Sequence, residues 1–152
     1  MGDAVVTASP LDAVLTSCRI EPVWFIWVEL WDGYDDARIR NAVMDVVALD
    51  YGAFYDQVAF ESGVGTQFCR AKPGARAGQS PDTVALPVRS LTFSLPRDHK
   101  MLGDAIEAVR HAHSYEEPVI YITESFATRV QIKDDADNPN RYFNRQQNDA
   151  GR

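Results

Sequence analysis

Hydrophobic positions along this 152-residue chain change their spacing repeatedly, and each change marks a separate element. Val23-Trp24-Phe25-Ile26-Trp27-Val28-Glu29-Leu30 is an almost unbroken run of β-branched and aromatic residues, too short for a typical helix. Apolar on both alternating faces, it predicts a strand covered on both sides, by helices on one and by another subunit on the other. Asp32-Gly33 closes it as a turn. Asp35-Asp36 then open a helix in which Ile39, Ala42, Val43, Val46 and Val47 keep a period near 3.6, ended by Asp50-Tyr51-Gly52. Val58-Ala59-Phe60 reads as a short strand before a glycine turn, Gly63-Val64-Gly65.

Residues 69–81 are rich in Gly, Pro, Ala and Arg and read as an exposed hairpin loop. The run from Val84 to Leu95 follows as strand, with Pro87 signalling an edge or a bulge. From Asp98 a second helix carries Leu102, Ala105, Ile106, Val109 and Ala112 on one face and ends near His113. Pro118 to Thr123 is the last clear strand. Ahead of all these, Ser9-Pro10-Leu11-Asp12 has the chemistry of a helix start, predicting a short helix to about Cys18. Beyond Val130 the pattern stops: Asp134 to Asn140 is turn chemistry, Arg141 to Arg145 a small amphipathic patch, and Gln146 to Arg152 polar tail.

Strand, helix, strand, strand, helix, strand is the order of an α+β, ferredoxin-like (split βαβ) two-layer sandwich, with one antiparallel sheet and two helices on one face. The expected organisation is an N-terminal extension over 1–21, the sandwich over 22–130 and a polar tail over 131–152. The bare sheet face must be covered by loops, the tail or another copy, and the apolar first strand favours an oligomer.

Composition narrows the function classes. Hydrophobic residues are 45% and the net charge is −7, which argues against a general nucleic-acid binder. The acidity is local: residues 1–62 hold 11 acids and 3 bases, residues 63–124 hold 7 of each, and residues 125–152 hold 4 acids and 5 bases. No apolar run approaches a bilayer span, so no membrane partner is expected. Met1-Gly2-Asp3 lacks the basic region of a secretory signal, which predicts a cytoplasmic chain. Cys18 and Cys69 make neither a disulfide framework nor a zinc site and are read as free thiols.

The densest chemistry is His111-Ala112-His113-Ser114-Tyr115-Glu116-Glu117-Pro118, at the junction of the second helix and the last strand. His113 at a helix C-terminus gains from the macrodipole when protonated. Tyr115 is expected to bury its ring and aim its hydroxyl at a carbonyl or carboxylate. Glu116 and Glu117, adjacent on extended backbone, point to opposite faces and cannot chelate together. His111 and His113, two apart, do not share a helix face, and a metal needs three or four convergent donors. A site joining Cys18, Cys69 and histidine needs the fold to bring them together. Gly63-Val64-Gly65-Thr66 lacks the following Gly-Lys-Ser/Thr and helix of a phosphate loop, and reads as a turn. No nucleophile elbow is present. Trp24, Trp27 and Trp31 read as core and interface.

His113-Ser114-Tyr115-Glu116 followed by Pro118 resembles the signature of the CutA family of divalent-cation-tolerance proteins. With Glu117 it is similar to the His-Pro-Tyr-Glu-Glu-Pro string of the inserted domain in Nif-three-like proteins, itself CutA-like and related in shape to the PII signalling proteins. Asp50-Tyr51-Gly52, Tyr55-Asp56 and Val58-Ala59-Phe60 look like that domain's glycine turn, Tyr-Asp pair and short strand. Gly63-Val64-Gly65-Thr66-Gln67-Phe68 is similar to its Gly-Thr-Gly-X-Phe turn with one residue extra, and Lys72-Pro73-Gly74-Ala75 resembles the loop that follows. The match covers roughly residues 23–124 in motif order. Ser114 replaces the usual Pro, and the first 20 and last 25 or so residues have no counterpart.

The resemblance implies the accessory module standing alone. The two-metal site of Nif-three-like proteins belongs to a separate domain rich in His and acids, and this chain has three histidines. It implies a non-enzymatic homotrimer that binds a small ligand, an ion or a partner protein at subunit clefts. The residues it implies are His113, Tyr115, Glu116 and Glu117. Arg70, Lys72 and Arg76 of the loop join them, because the corresponding PII loop contacts ligands and partners. No cofactor is evident, and a divalent cation is the alternative occupant. Two other readings stay open: a metal-dependent enzyme or enzyme subunit around His113, and an accessory chain docking through its acidic half and the Arg141–Arg145 patch.

Overall fold

A computed structural model describes residues 7–131 and 136–145 of the chain. Its six main elements are β1 (Cys18–Trp31), α1 (Ala37–Met44), β2 (Phe60–Cys69), β3 (Val84–Pro96), α2 (His99–Ala112) and β4 (Ile120–Val130). They form a four-stranded sheet of order β2-β3-β1-β4, with β3 antiparallel to both β1 and β2. This is the split βαβ sandwich that the element order predicts.

The residues group into two compact units, Pro22–Ala127 and the pair of terminal segments, Met1–Glu21 with Thr128–Arg152. The core belongs to the first. Alternation along β1 sends Ile26, Val28 and Leu30 to one face, and their register partners Phe93, Leu91 and Arg89 on β3 share it. Ile39 and Val43 of α1 and Ala105 and Val109 of α2 close over that face, all completely buried. Each buried Leu, Ile, Val or Phe contributes about 1.5–3 kcal/mol by leaving water. Both helices start on the expected aspartates. Asp36 accepts from the Arg38 N–H at 2.9 Å, and Asp98 from the Met101 N–H at 2.9 Å.

Several boundaries differ from the sequence pattern, for physical reasons. The predicted helix after Ser9 is a single 3-10 turn, Pro10–Asp12. Ser9 and Asp12 make a reciprocal capping box, but the chain leaves the helical region at Ala13. The segment 18–22, including Pro22, is already strand. The first helix stops at Met44, short of the Val46 and Val47 that continue its apolar pattern. Val47 and Leu49 reach the core from the following loop instead, with Leu49 at φ +55°.

Gly63-Val64-Gly65 is not a turn between elements. It lies inside β2, where the pairing to β3 shifts between Ser62 and Gly65, a β-bulge. The strand around Pro87 is not an edge over its length, because β3 lies between β2 and β1. Its pairing with β1 ends at Val88↔Trp31, so the missing Pro87 N–H falls where β1 has run out. The Pro87 carbonyl accepts from the Asp32 N–H at 2.9 Å.

In the terminal unit, the Gln131 N–H donates to the Ser17 carbonyl at 2.9 Å, and Arg129 Nε meets Glu21 Oε1 at 2.9 Å. Asn138 organises the turn the sequence predicts: its side chain accepts from the Asn140 N–H and its carbonyl from Asn144 Nδ2. The amphipathic patch is a 3-10 turn, Tyr142–Asn144, whose two rings meet edge to face. Met1 to Val6, Ile132 to Asp135 and the polar tail from Gln146 lie outside the described residues.

Candidate functional site

The turn from β1 into α1 is built around one carboxylate. Gly33 takes φ +76°, letting the Tyr34 and Asp35 N–H groups return to the Trp31 carbonyl at 3.0 and 2.8 Å. This folds the Asp35 side chain inward, completely buried. Its Oδ2 accepts from the Trp31 N–H at 3.0 Å and the Ser114 hydroxyl at 2.8 Å. Its Oδ1 accepts from the Ser114 N–H at 3.2 Å and Arg38 at 3.3 Å. Arg89 clamps the same turn from β3. It donates to Asp32 at 2.8 Å, to Glu61 of β2 at 2.8 Å and to the Asp35 carbonyl at 2.6 Å.

The 113–117 string packs onto this anchor. His113 caps α2, and its N–H donates to the Val109 carbonyl. Its ring is buried: Nε2 contacts the Glu29 carbonyl at 2.5 Å, and Nδ1 accepts from the Tyr115 N–H at 3.0 Å. Nδ1 also lies 3.6 Å from Asp35 Oδ2. One ring nitrogen thus meets the backbone of β1 and the other the backbone of the string. The ring thereby ties the end of the helix to β1 and to the string.

Tyr115 stacks near His113 (centroids 4.8 Å) and Trp31 (6.2 Å), and Trp31 in turn stacks on Tyr34 at 4.8 Å. Its hydroxyl faces the Glu29 carboxyl and interacts with it. Both the Tyr115 hydroxyl and Glu29 Oε1 are buried. Burial, then the negative charges of Glu29 and Asp35, push the phenol up to about 12. Burial also raises the Glu29 carboxyl above its ordinary value, opposed by His113 and Tyr115.

Of the residues expected to bind, the structure joins two groups by one bond. Glu116 Oε2 accepts from the Arg76 backbone N–H at 3.0 Å, fastening the 70–83 loop to the string. The loop is further turned by Ala75 to Lys72 and Ser80 to Ala71 backbone bonds. Arg70, Lys72 and Arg76 are exposed, and so are Glu116 and Glu117. His111 is exposed, with its Nδ1 2.7 Å from the Glu107 carbonyl. Cys18 and Cys69 are free thiols, and no three His, Cys, Asp or Glu residues converge among those described. Trp24 packs against the core, with the Arg97 guanidinium over its ring, and Trp27 faces Tyr121. A wide hollow of about 450 Å³ lined by Asp50, Phe54, Tyr55 and Asp56 involves none of the expected site residues.

Sequence reasoning did not find Asp35 or Glu29 as members of this cluster. The one available signal for Glu29 was a charge at a strand position where every neighbour is apolar. For Asp35 there was none, since an acid before a helix is explained by the macrodipole alone. Chemically the cluster holds elements together and buries a carboxyl beside a phenol, while the adjoining loop presents cations to solvent.

No family model matches the sequence, and no curated protein does. Among solved structures, the fold is shared with the Bacillus cereus protein related to NIF3, at 19% identity and a TM-score of 0.56. That alignment covers 74% of this chain and 28% of the other, so the chain spans about a quarter of that protein's length. CutA1 from Oryza sativa overlaps at 11% identity and a TM-score of 0.49, covering 69% of this chain and 81% of the other. The divalent ion tolerance protein CutA1 from Ehrlichia chaffeensis gives 11%, 0.49, 68% and 80% in the same order. No helix among the described residues is long and apolar enough to cross a membrane.

Proposed function

We propose that this chain is a CutA/PII-like binding module that assembles as a homotrimer and takes a small ligand, an ion or a partner protein at the clefts between subunits. The observation that carries the reading is the bond from the Arg76 N–H to Glu116 Oε2. It holds a loop with three exposed cations against the string that carries the family resemblance. Arg70, Lys72 and Arg76 make no ion pair with another described residue, so their charge is available to an anionic group. In this reading Glu116 positions the loop, Glu117 faces the cleft, and His113 and Tyr115 fix the string from below.

Self-association is supported by the sheet. Its helix-free face carries Phe25, Phe60 and Tyr121, at 39%, 61% and 63% exposure, more aromatic surface than a monomer usually leaves in water. The edge strands β2 and β4 are long and carry further exposed apolar side chains, Val64, Phe68 and Ile122 among them.

Two measurements test the reading. Sedimentation velocity at micromolar concentration is expected to give a trimer; a monomer at every concentration overturns the assembly. Isothermal titration with inorganic phosphate and with ATP is expected to give binding to at least one that the R70A/K72A/R76A variant loses. Equal binding by that variant removes the loop from the site.

A further inference from the structure

The loop between β2 and β3 contains two consecutive turns. Pro73 and Gly74, the latter at φ +96°, form the centre of the first, which the Ala75 N–H closes by donating to the Lys72 carbonyl at 3.2 Å. Arg76 and Ala77 form the centre of the second, closed by the Gly78 N–H donating to the Ala75 carbonyl at 2.9 Å. Such a turn engages the N–H of its last residue and leaves that of its second without a partner inside the turn. The second residue here is Arg76, and its N–H donates to Glu116 Oε2 at 3.0 Å.

The loop thus already receives an oxyanion, supplied by the chain itself, in a segment with three exposed cations, Arg70, Lys72 and Arg76. The string that presents this carboxylate is fixed. Asp35 holds Ser114 through its N–H and its hydroxyl, and His113 Nδ1 holds the Tyr115 N–H. Glu116 itself is exposed, so water competes for the bond from outside. A carboxylate–amide bond open to solvent exchanges readily for a bond to another oxyanion, and the more highly charged anion is favoured.

We infer that Glu116 is a built-in competitor: its carboxylate holds the place on the Arg76 N–H that the ligand's anionic group takes, so that binding displaces Glu116 and uncouples the loop from the string. This rests on the anion-binding reading proposed above and adds how that site is regulated. In the free chain Glu116 positions the loop by filling its anion site. A phosphate group carries more charge than a carboxylate and three acceptor oxygens, so it engages the N–H and the side-chain cations together. The competitor is tethered and acts at a fixed effective concentration, so the ligand's apparent affinity falls with the fraction of chains in which Glu116 is bound. By the same linkage, whatever else presses the loop onto the string weakens the ligand.

Calorimetric titration of the full chain with inorganic phosphate, and separately with ATP, tests this beside the variants E116A and D82N. Asp82 is an exposed acid at the neck of the same loop, two residues before Val84, which pairs with Cys69. D82N removes a negative charge there without touching the Arg76 N–H. E116A is expected to bind several-fold tighter than wild type and D82N to gain much less, with the gap persisting as added salt screens general attraction. Binding by E116A where wild type shows none also supports the inference. Unchanged or weaker binding by E116A overturns it and leaves the anion site standing, with Glu116 only positioning the loop. Equal gains in E116A and D82N overturn it too, because loss of negative charge alone then accounts for the affinity. Failure of both anions to bind wild type and variants alike overturns both readings. E116Q, which removes the charge and keeps the side chain's shape, is expected to gain in the same direction and keeps the test open if truncation disturbs the string.

Discussion

The Ser114 hydroxyl donates to the Asp35 carboxylate at 2.8 Å, across 79 positions of sequence, while its backbone N–H reaches the other carboxylate oxygen. One residue thereby satisfies both oxygens of a completely buried acid and fixes the end of α2 against the start of α1. A proline here would have neither the hydroxyl nor the N–H. The string is bound to the fold through this one residue's two donors.

Removing the acid should therefore be costly. Asp35→Ala strands the Trp31 N–H and both Ser114 donors in a buried site, and about 3–5 kcal/mol of stability is expected to be lost. Ser114→Ala removes one donor and is expected to cost about 1–2 kcal/mol. Urea denaturation followed by tryptophan fluorescence measures both. Equal, negligible losses would show that the anchor is dispensable.

The two sheet faces should respond differently to truncation. Leu91→Ala opens a cavity beneath both helices and is expected to cost about 2–5 kcal/mol. Phe60→Ala, on the helix-free face and 61% exposed, should change unfolding of the monomer by less than about 1 kcal/mol while weakening self-association. Comparing dilute-solution denaturation with sedimentation distinguishes these effects.

Stability should fall with rising pH in two separate windows. The Glu29 carboxyl is raised in the fold, so the native state holds its proton after the unfolded chain has released it. Its contribution is full below the unfolded value near 4.5 and is lost as pH rises through the folded one. Tyr115 behaves alike between its ordinary value near 10 and about 12. E29Q is expected to flatten the acid window and Tyr115→Phe the alkaline one, each read from denaturation midpoints against pH.

Glu116→Ala should release the loop without unfolding the domain, because Glu116 is exposed and its one hydrogen bond runs to the Arg76 N–H. Trypsin cleavage after Arg70 and Arg76 is then expected to quicken several-fold. Lys72 is followed by Pro73 and should stay resistant. Unchanged cleavage at both arginines would show that other contacts hold the loop.

Much of the architecture was legible because periodicity reports burial directly. The 3.6 period of Ala105 and Val109 and the alternation of Leu91, Phe93 and Leu95 each name the face that meets the core. Residues outside such patterns were not legible. The apolar Val46 and Val47 extend the period of α1 past its end, and nothing local shows that Leu49 will turn to positive φ and return to the core from a loop. The site was half visible. Its string stands out by composition, whereas Asp35 and Glu29 acquire their roles only from segments folded against them from about 80 positions away.

The bulge in β2 carries one more consequence. Between Ser62↔Ser90 and Gly65↔Val88 the strand holds two residues, Gly63 and Val64, against the single Arg89 of its neighbour. The pairing on either side is therefore indifferent to whether one of them is present. This strand can gain or lose a residue here with the pairing at both its ends left in place. An insertion elsewhere in the strand would turn Gln67 and Cys69 over to the opposite face; one confined to the bulge leaves their faces unchanged.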